Sequence, residues 1–248
     1  MKPETYEVEA AIEENHWWFV GRRKLFMQEI SRVGIASSAR VLDAGTSTGS
    51  NLRMLREMGF HHYVGLDMSE YAISYCRSKG FSEVHKGDIC AMPFEDSTFD
   101  LVLATDIVEH VADDSQAARE IERVLKPGGY CLVTVPAFQS LWGIQDVQSL
   151  HKRRYRMHSL LLLFQQAGLT PTRSYHFNYL LFLPIWLARR IIGMLNIELR
   201  SENELNNRLL NSILSAIFSV DIFTAPVFHV PFGVSIFSLF RKTSGGRE

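Results

Sequence analysis

Between residues 40 and 136, short apolar and β-branched runs alternate with stretches whose apolar positions recur every three to four residues. An apolar run bounded by turn formers reads as a buried strand, and the longer repeat reads as an amphipathic helix lying over it. Strands are therefore predicted at 40–45 (RVLDAG), 62–67 (HYVGLD), 83–88 (EVHKGD), 100–106 (DLVLATD) and 130–136 (YCLVTVP), with helices at 50–58, 69–79 and 113–125 between them. Strands joined through helices run parallel, because a hairpin turn is too short to hold a crossover.

The punctuation agrees. Ser69 precedes EYAISYC as a cap with Glu70 in the first turn, and Lys126-Pro127-Gly128-Gly129 stops the helix ending at Leu125. A further helix is predicted at 156–167, ending on Gly168, then a strand at 169–176 and a closing strand at 233–242 (GVSIFSLFRK), which leaves 178–228 as a mostly helical insertion. Near the start, a helix running to Val33 carries Leu25, Phe26 and Ile30 on one side.

Composition adds limits. With 248 residues and 46% hydrophobic content, the chain is long enough for one full core. A formal net charge of -1 provides no global field for nucleic acid, so no nucleic-acid partner is expected and any anion must meet local clusters of arginine and lysine. The start of the chain, MKPETYEVEAAIEENH, lacks the apolar core of a secretory signal, and a cytoplasmic location is expected. Cys76, Cys90 and Cys131 show no C-x-x-C spacing, so neither a disulfide nor a metal site is expected. The most apolar stretch, FNYLLFLPIWLARRIIGML at 177–195, is broken by Pro184, Arg189 and Arg190 and makes a poor membrane span.

In an open parallel sheet the ligand lies beyond the carboxyl ends of the strands. Those places are Asp43–Gly49, Asp67, Asp88, Asp106 and Pro136, so four of the five carry an aspartate. A row of carboxylates repels a pyrophosphate resting on the first helix, and the first turn, VLDAGTSTGSN at 41–51, has glycines at 45 and 49 instead of the G-x-G-x-x-G of a dinucleotide site. Carboxylates suit a ligand with hydroxyl donors and positive charge. S-adenosylmethionine has both and no phosphate, and Asp67, 22 residues after Gly45, stands where a ribose-binding acid is expected.

With these motifs in order, residues 40–136 resemble the class I S-adenosylmethionine-dependent methyltransferases. DAGTSTG matches their first motif except at Ser47, where a glycine is usual, while FDLVLATDIVEHV at 99–111 and RVLKPGGYCLVTVP at 123–136 resemble their fourth- and fifth-strand segments. The resemblance implies an α/β fold: a Rossmann-like, doubly wound, mostly parallel seven-stranded sheet with a helical insertion before the last strand. It also implies a single domain divided into an N-terminal helical lid (1–39), a cofactor-binding core (40–176), an insertion (177–230) and a closing strand with tail (231–248). S-adenosyl-L-methionine, leaving as S-adenosyl-L-homocysteine, is then the cofactor. Asp43, Gly45 and Gly49 are expected at its methionine portion, Asp67 at the ribose hydroxyls, Asp88 with Ile89 at the adenine, and Asp106 and His110 at the mouth, with Ala44, Thr46, Ser47, Met68 and Ile107 as further cofactor contacts. EENHWWFVGRR at 13–23 and LWGIQDVQSLHKRRY at 141–155 look like a bacterial subfamily of these enzymes associated with surface-glycan and lipid-linked pathways.

Several residues admit two readings. His110 is a general base or simply the first-turn residue of the next helix, and His151 is a second candidate base. Arg153, Arg154 and Tyr155, next to His151, form either a solvated basic turn or an anion clamp for an acceptor. Trp17, Trp18 and Phe19 pack the core or, with His16, Arg22 and Arg23, close over the cofactor. The 178–228 insertion either covers the sheet or offers an apolar surface to a lipid acceptor or membrane, with Trp186, Arg189 and Arg190 favouring an interface and Glu198, Glu202 and Glu204 opposing anionic lipid. The expected activity is methyl transfer to an oxygen or nitrogen of a small, anionic or lipid- or glycan-linked acceptor. The alternatives are a non-catalytic cofactor-binding scaffold and a nicotinamide-dependent oxidoreductase.

Overall fold

Successive side chains of each strand point to opposite faces of the sheet, which sorts the core into two layers. The computed structural model describes residues 3–195 and 207–243. In chain order its elements are α1 (Pro3–Ile12), α2 (Trp17–Val33), β1 (Arg40–Ala44), α3 (Ser50–Glu57), β2 (His62–Asp67), α4 (Glu70–Ser78), β3 (Val84–Lys86), β4 (Phe99–Thr105), α5 (Asp114–Val124), β5 (Leu125–Pro136), α6 (Ile144–Gln148), α7 (Met157–Gln166), β6 (Leu169–Phe177), α8 (Phe182–Leu195), α9 (Arg208–Phe228) and β7 (Ser235–Lys242). The strands form one seven-stranded sheet in the order β3-β2-β1-β4-β5-β7-β6. β1 to β5 are parallel, and β7 inserts antiparallel between β5 and β6. This is the expected Rossmann-like sheet.

Val41, Leu101, Leu103 and Leu132 face one side with Phe26 and Ile30 of α2, Met54 and Leu55 of α3, and Phe218 and Ile222 of α9. Their neighbours Leu42, Val102, Cys131 and Val133 face the other side, against Ala118 and Ile121 of α5 and Leu160 and Phe164 of α7. Strands buried on both faces read as continuous apolar runs, which is why they were visible in the sequence.

Local differences have local causes. The strand expected at 83–88 stops at Lys86, because Gly87 N–H turns to the Asp67 carbonyl at 3.0 Å and Asp88 enters a bridge with Ala91. Lys126–Gly129 does end α5, but the chain is already in β5 from Leu125, with a register irregularity opposite Phe99 and Leu101. Ser69 occupies the N-cap of α4 with no hydroxyl cap bond. Its N–H is instead taken by Asp67 Oδ1 at 2.9 Å.

The insertion is helical where it is described, as α8 and α9; residues 196–206, which include Glu198, Glu202 and Glu204, lie outside the described residues, as do 1–2 and 244–248. Asp221 of α9 is fully buried and accepts the Asn178 N–H at 2.6 Å and the Leu180 N–H at 2.9 Å. That pair of bonds fastens α9 to the segment leaving β6. Trp17 meets Phe218 edge to face and Trp18 stacks on it, with centroids 5.3 and 5.4 Å away, so the N-terminal aromatics and the insertion share one packing layer.

Candidate active site

β1 ends at Ala44, and the chain turns into α3 through Gly45–Gly49. Gly45 and Gly49 have φ of 81° and 85°, a region that a Cβ makes unfavourable. A Cβ on Gly45 would lie 2.8 Å from Ile107 Cγ1, so the tips of β1 and β4 approach this closely only across a glycine. Ser47 takes a left-handed conformation as well, with φ 46°. It is held there by its N–H to Asp67 Oδ2 at 3.0 Å and its hydroxyl to Glu9 Oε2 at 2.9 Å.

Asp43 lies fully buried under this turn and accepts the Thr46 hydroxyl at 2.8 Å and the Asn51 amide at 2.9 Å. Burial outweighs those two bonds and pushes its carboxyl up to about 6. Asp43 therefore braces the loop from below, and Ala44 beside it is buried too, whereas Gly45, Thr46 and Ser47 line the cavity. Gly49 is the N-cap of α3, closed in by Cys76 and Phe81.

At the tip of β2 both oxygens of Asp67 already hold one backbone donor each, from Ser47 and Ser69. The carboxylate is thus fixed in orientation with lone pairs left over for two further donors. Burial raises its pKa against those same bonds. Met68 stands at the rim, 63% exposed. After β3, Asp88 turns back to accept the Cys90 N–H at 2.9 Å, and its neighbours Gly87 and Ile89 line the cavity in its place. After β4, Asp106 has φ 52° and pairs with Arg22 of α2 at 2.7 Å, with Ile107 beside it.

The N-terminal helices close over this turn. The Thr48 hydroxyl donates to Glu13, which also pairs with Lys79 at 2.7 Å. Tyr6 is buried, and loss of water contact pushes the Glu9 carboxyl up to about 7 despite the lowering effect of its bond from the Ser47 hydroxyl. The cavity so enclosed has a volume of about 880 Å³ and runs from the glycine turn to His110, His151 and α8. That size lies within the usual range for small-molecule sites.

The two candidate bases meet at the far end. Their rings pack edge to face at 4.6 Å. Burial, then the neighbouring His151, lowers the His110 pKa to about 3, so it is neutral at physiological pH and a weak proton acceptor. His151 Nδ1 bonds Asp146 Oδ1 at 2.8 Å, which orients the ring and leaves Nε2 toward Glu109.

Arg153, Arg154 and Tyr155 are not presented together as an anion clamp. Arg154 makes paired bonds to Asp146 at 2.8 and 2.9 Å with its side chain only 3% exposed. Burial alone would raise Asp146, but the bonds from His151 and Arg154 win and lower it to about 2. Arg153 pairs with Asp114 at 2.7 Å and faces a separate groove, where the buried Tyr155 hydroxyl donates to the same carboxylate at 2.8 Å. Two adjacent arginines looked available because their acidic partners lie 8 and 39 positions away in the chain.

The sequence pattern also missed Glu9, Glu13, Glu109 and Asp146. Each is an ordinary acidic residue in a helical or turn stretch, without spacing that marks it. Arg22 and Asn51 flank recognised motifs, but nothing local pairs them with Asp106 and Asp43.

Residues 42–133 match the family described as methyltransferase domain. They contain the glycine turn, Asp67, Asp88 and Asp106. A 105-residue stretch is 41% identical to the sterol 24-C-methyltransferase erg6 of Schizosaccharomyces pombe, covering 40% of this chain and 28% of that protein. Another, of 159 residues, is 26% identical to a probable S-adenosylmethionine-dependent methyltransferase of Mycolicibacterium smegmatis, covering 63% of this chain and 60% of that one. The chain thus spans less than two thirds of the length of either relative. Its fold is shared with a chain from the Haloferax volcanii complex of the Trm112 methyltransferase activator with its candidate methyltransferase, at TM-score 0.66 and 19% identity over 99% of this chain and 97% of that one.

Domain and fold imply S-adenosylmethionine as the cofactor, and the residues fit it. A cradle that a Cβ at Gly45 would fill lies next to a carboxylate with spare acceptor capacity. Asp67, Asp106 and Glu9 around the turn match a cationic ligand better than a diphosphate.

Proposed function

We propose that the protein is an S-adenosylmethionine-dependent methyltransferase acting on an oxygen or nitrogen of a small acceptor, lipid-linked or glycan-linked. The observation that carries this reading is Asp67, its two oxygens aimed by the N–H groups of Ser47 and Ser69 into the cavity that Gly45 and Asp106 also line. When bound, S-adenosylmethionine supplies an electrophilic methyl group on a positively charged sulfur. The chain's own residues then have three tasks. Gly45, Thr46 and Ser47 bring backbone close to the ligand. Asp67 takes two hydroxyl donors. The N-terminal helices, through Glu9 and Glu13, close the turn and exclude water. Alignment of this kind lowers a barrier by up to about 7–11 kcal/mol, and a positioned base adds about 10²–10⁴-fold. His151 is the better placed of the two candidate bases. Loss of His151 leaves measurable turnover, and loss of the turn does not.

The test is calorimetry with S-adenosylhomocysteine, followed by transfer of a labelled methyl group to lipid and glycan extracts. Binding with no transfer to any acceptor favours a non-catalytic scaffold. Heat with a nicotinamide dinucleotide and none with S-adenosylhomocysteine overturns the reading in favour of an oxidoreductase.

A specific observation favours the lipid-linked class. Ile185 and Arg189 of α8 line the cavity, while Leu183, Leu187 and Ile191 on the same helix are 67%, 54% and 45% exposed. On α9, Val220, Phe223, Val227 and Phe228 are exposed as well. α9 is 21 residues long with mean hydropathy 1.5, long and apolar enough to cross a membrane. Its buried Asp221, tied to β6, supports a helix lying on the domain with its outer face toward lipid. We therefore place the protein in the cytoplasm, peripherally at the inner membrane surface, receiving its acceptor along α8. Co-sedimentation with phospholipid vesicles at low salt is the expected result. Recovery only in the supernatant leaves these helices a packing role.

A further inference from the structure

The cavity contains a carboxylate that neither the turn nor the cofactor reading uses. Glu109 follows β4 in a short 3-10 turn, Val108–His110, and its side chain is fully buried with neither oxygen hydrogen-bonded. A buried ionised carboxylate without partners costs several kcal/mol or more, so such a group is protonated or is waiting for a cation.

Two imidazoles complete the arrangement. One ligand atom each from Glu109, His110 and His151 lie within 4.8 Å of one another, and His151 Nε2 is 3.9 Å from Glu109 Oε1. Two ligands on one tetrahedral ion at about 2.0–2.2 Å are about 3.3–3.6 Å apart, so closure needs the three side chains to draw together by about an ångström. The supporting bonds have the form found at metal-bound histidines. His151 has Nδ1 on the Asp146 carboxylate, which fixes the tautomer that leaves Nε2 open, and Asp146 is itself held by Arg154 and the Gly143 N–H. The Lys152 N–H donates to the Glu109 carbonyl at 2.8 Å, locking the two loops that carry the ligands.

We propose that Glu109, His110 and His151 bind one divalent transition metal ion at the acceptor end of the cavity. Two nitrogens and one oxygen favour zinc, cobalt, manganese or iron over magnesium or calcium, and three protein ligands leave coordination positions facing the cavity. The absence of paired cysteines, which argued against a metal in the sequence, does not bear on this set, because none of its ligands is a cysteine. On the methyl-transfer reading, the open positions select an acceptor whose hydroxyl or carboxylate oxygen coordinates the ion. Coordination at His151 Nε2 and proton abstraction by the same nitrogen exclude each other, so the test also decides between those two roles.

The experiment uses the full chain, stripped with a chelator and titrated with Zn²⁺ by calorimetry and with Co²⁺ by visible absorption. One equivalent per chain is expected, with a cobalt spectrum lacking thiolate charge-transfer bands. Glu109→Gln and His151→Ala each weaken Zn²⁺ binding at least tenfold, and Asp146→Asn, which acts through His151, weakens it about 10–100-fold. Circular dichroism confirms that each variant is folded, and His110→Ala replaces any that is not. Absence of stoichiometric Zn²⁺ binding overturns the proposal, as does equal binding by the wild type, Glu109→Gln and His151→Ala. S-adenosylhomocysteine affinity measured on the same samples separates this outcome from failure of the methyltransferase reading, because either ligand binds in the absence of the other.

Discussion

At the scale of single residues, the glycine turn shows why similar positions tolerate different side chains. Gly45 and Ser47 both have positive φ, but only Gly45 has another side chain where its Cβ would be. Gly45→Ala combines a clash at Ile107 with the roughly 1–2 kcal/mol that a left-handed conformation costs a non-glycine residue. It is expected to weaken S-adenosylhomocysteine binding at least tenfold by calorimetry and to lower the melting temperature. Ser47 bears the same backbone cost and offsets it through its bonds to Asp67 and Glu9. Asp67→Asn removes the charge and replaces one of the two oxygens that accept backbone N–H groups, and is expected to weaken the same affinity about tenfold or more and to lower stability by about 1–3 kcal/mol.

At the scale of elements, the insertion depends on one buried carboxylate. Asp221 of α9 receives two backbone N–H groups from the segment after β6, and hydrogen bonds to a charged group are worth about 1.5–3 kcal/mol. Asp221→Ala leaves both donors without a partner and is expected to lower unfolding free energy by about 2–4 kcal/mol in urea titrations, with Asp221→Asn recovering part of the loss. Hydrogen exchange should report faster opening in α9 and at 178–180 before the parallel strands are affected. Equal exchange in variant and wild type would show that α9 is held mainly by Phe218, Ile222 and the two tryptophans.

At the scale of the whole molecule, buried acids set the pH profile. Glu9 and Asp43 have carboxyls raised to about 7 and about 6, above ordinary values of 4.5 and 3.8. A raised carboxyl binds its proton more tightly in the folded state, so its stabilising contribution is complete below the ordinary value and is lost as pH rises through the folded one. Asp146, lowered to about 2 from 3.8, acts in the opposite sense, and its contribution is lost as pH falls toward 2. The melting temperature is expected to peak in mild acid and to decline between about pH 4.5 and 7. Glu9→Gln should flatten the upper part of that decline, and an unchanged slope would place the neutral-pH loss elsewhere.

The parallel core and the tip residues of its strands were legible because their signals are local. Contiguous apolar runs such as those in RVLDAG and DLVLATD, glycines that turn a strand into a helix, and aspartates closing strands depend on neighbours a few positions away. The reach of Asp88 and the supposed clamp at Arg153 and Arg154 were not legible. Whether a charged group faces a ligand depends on what lies beside it: Asp146 and Asp114 reach Arg154 and Arg153 only after loops close, and Asp88 turns back onto the Cys90 N–H two residues on. By itself the sequence determined a parallel sheet with aspartates at its strand tips, a pattern that suits a cationic ligand better than a diphosphate. Tertiary structure alone decided that α1 seals the glycine turn through Glu9 and that Glu109, His110 and His151 converge, because Coulomb and hydrogen-bond energies depend on distances in space.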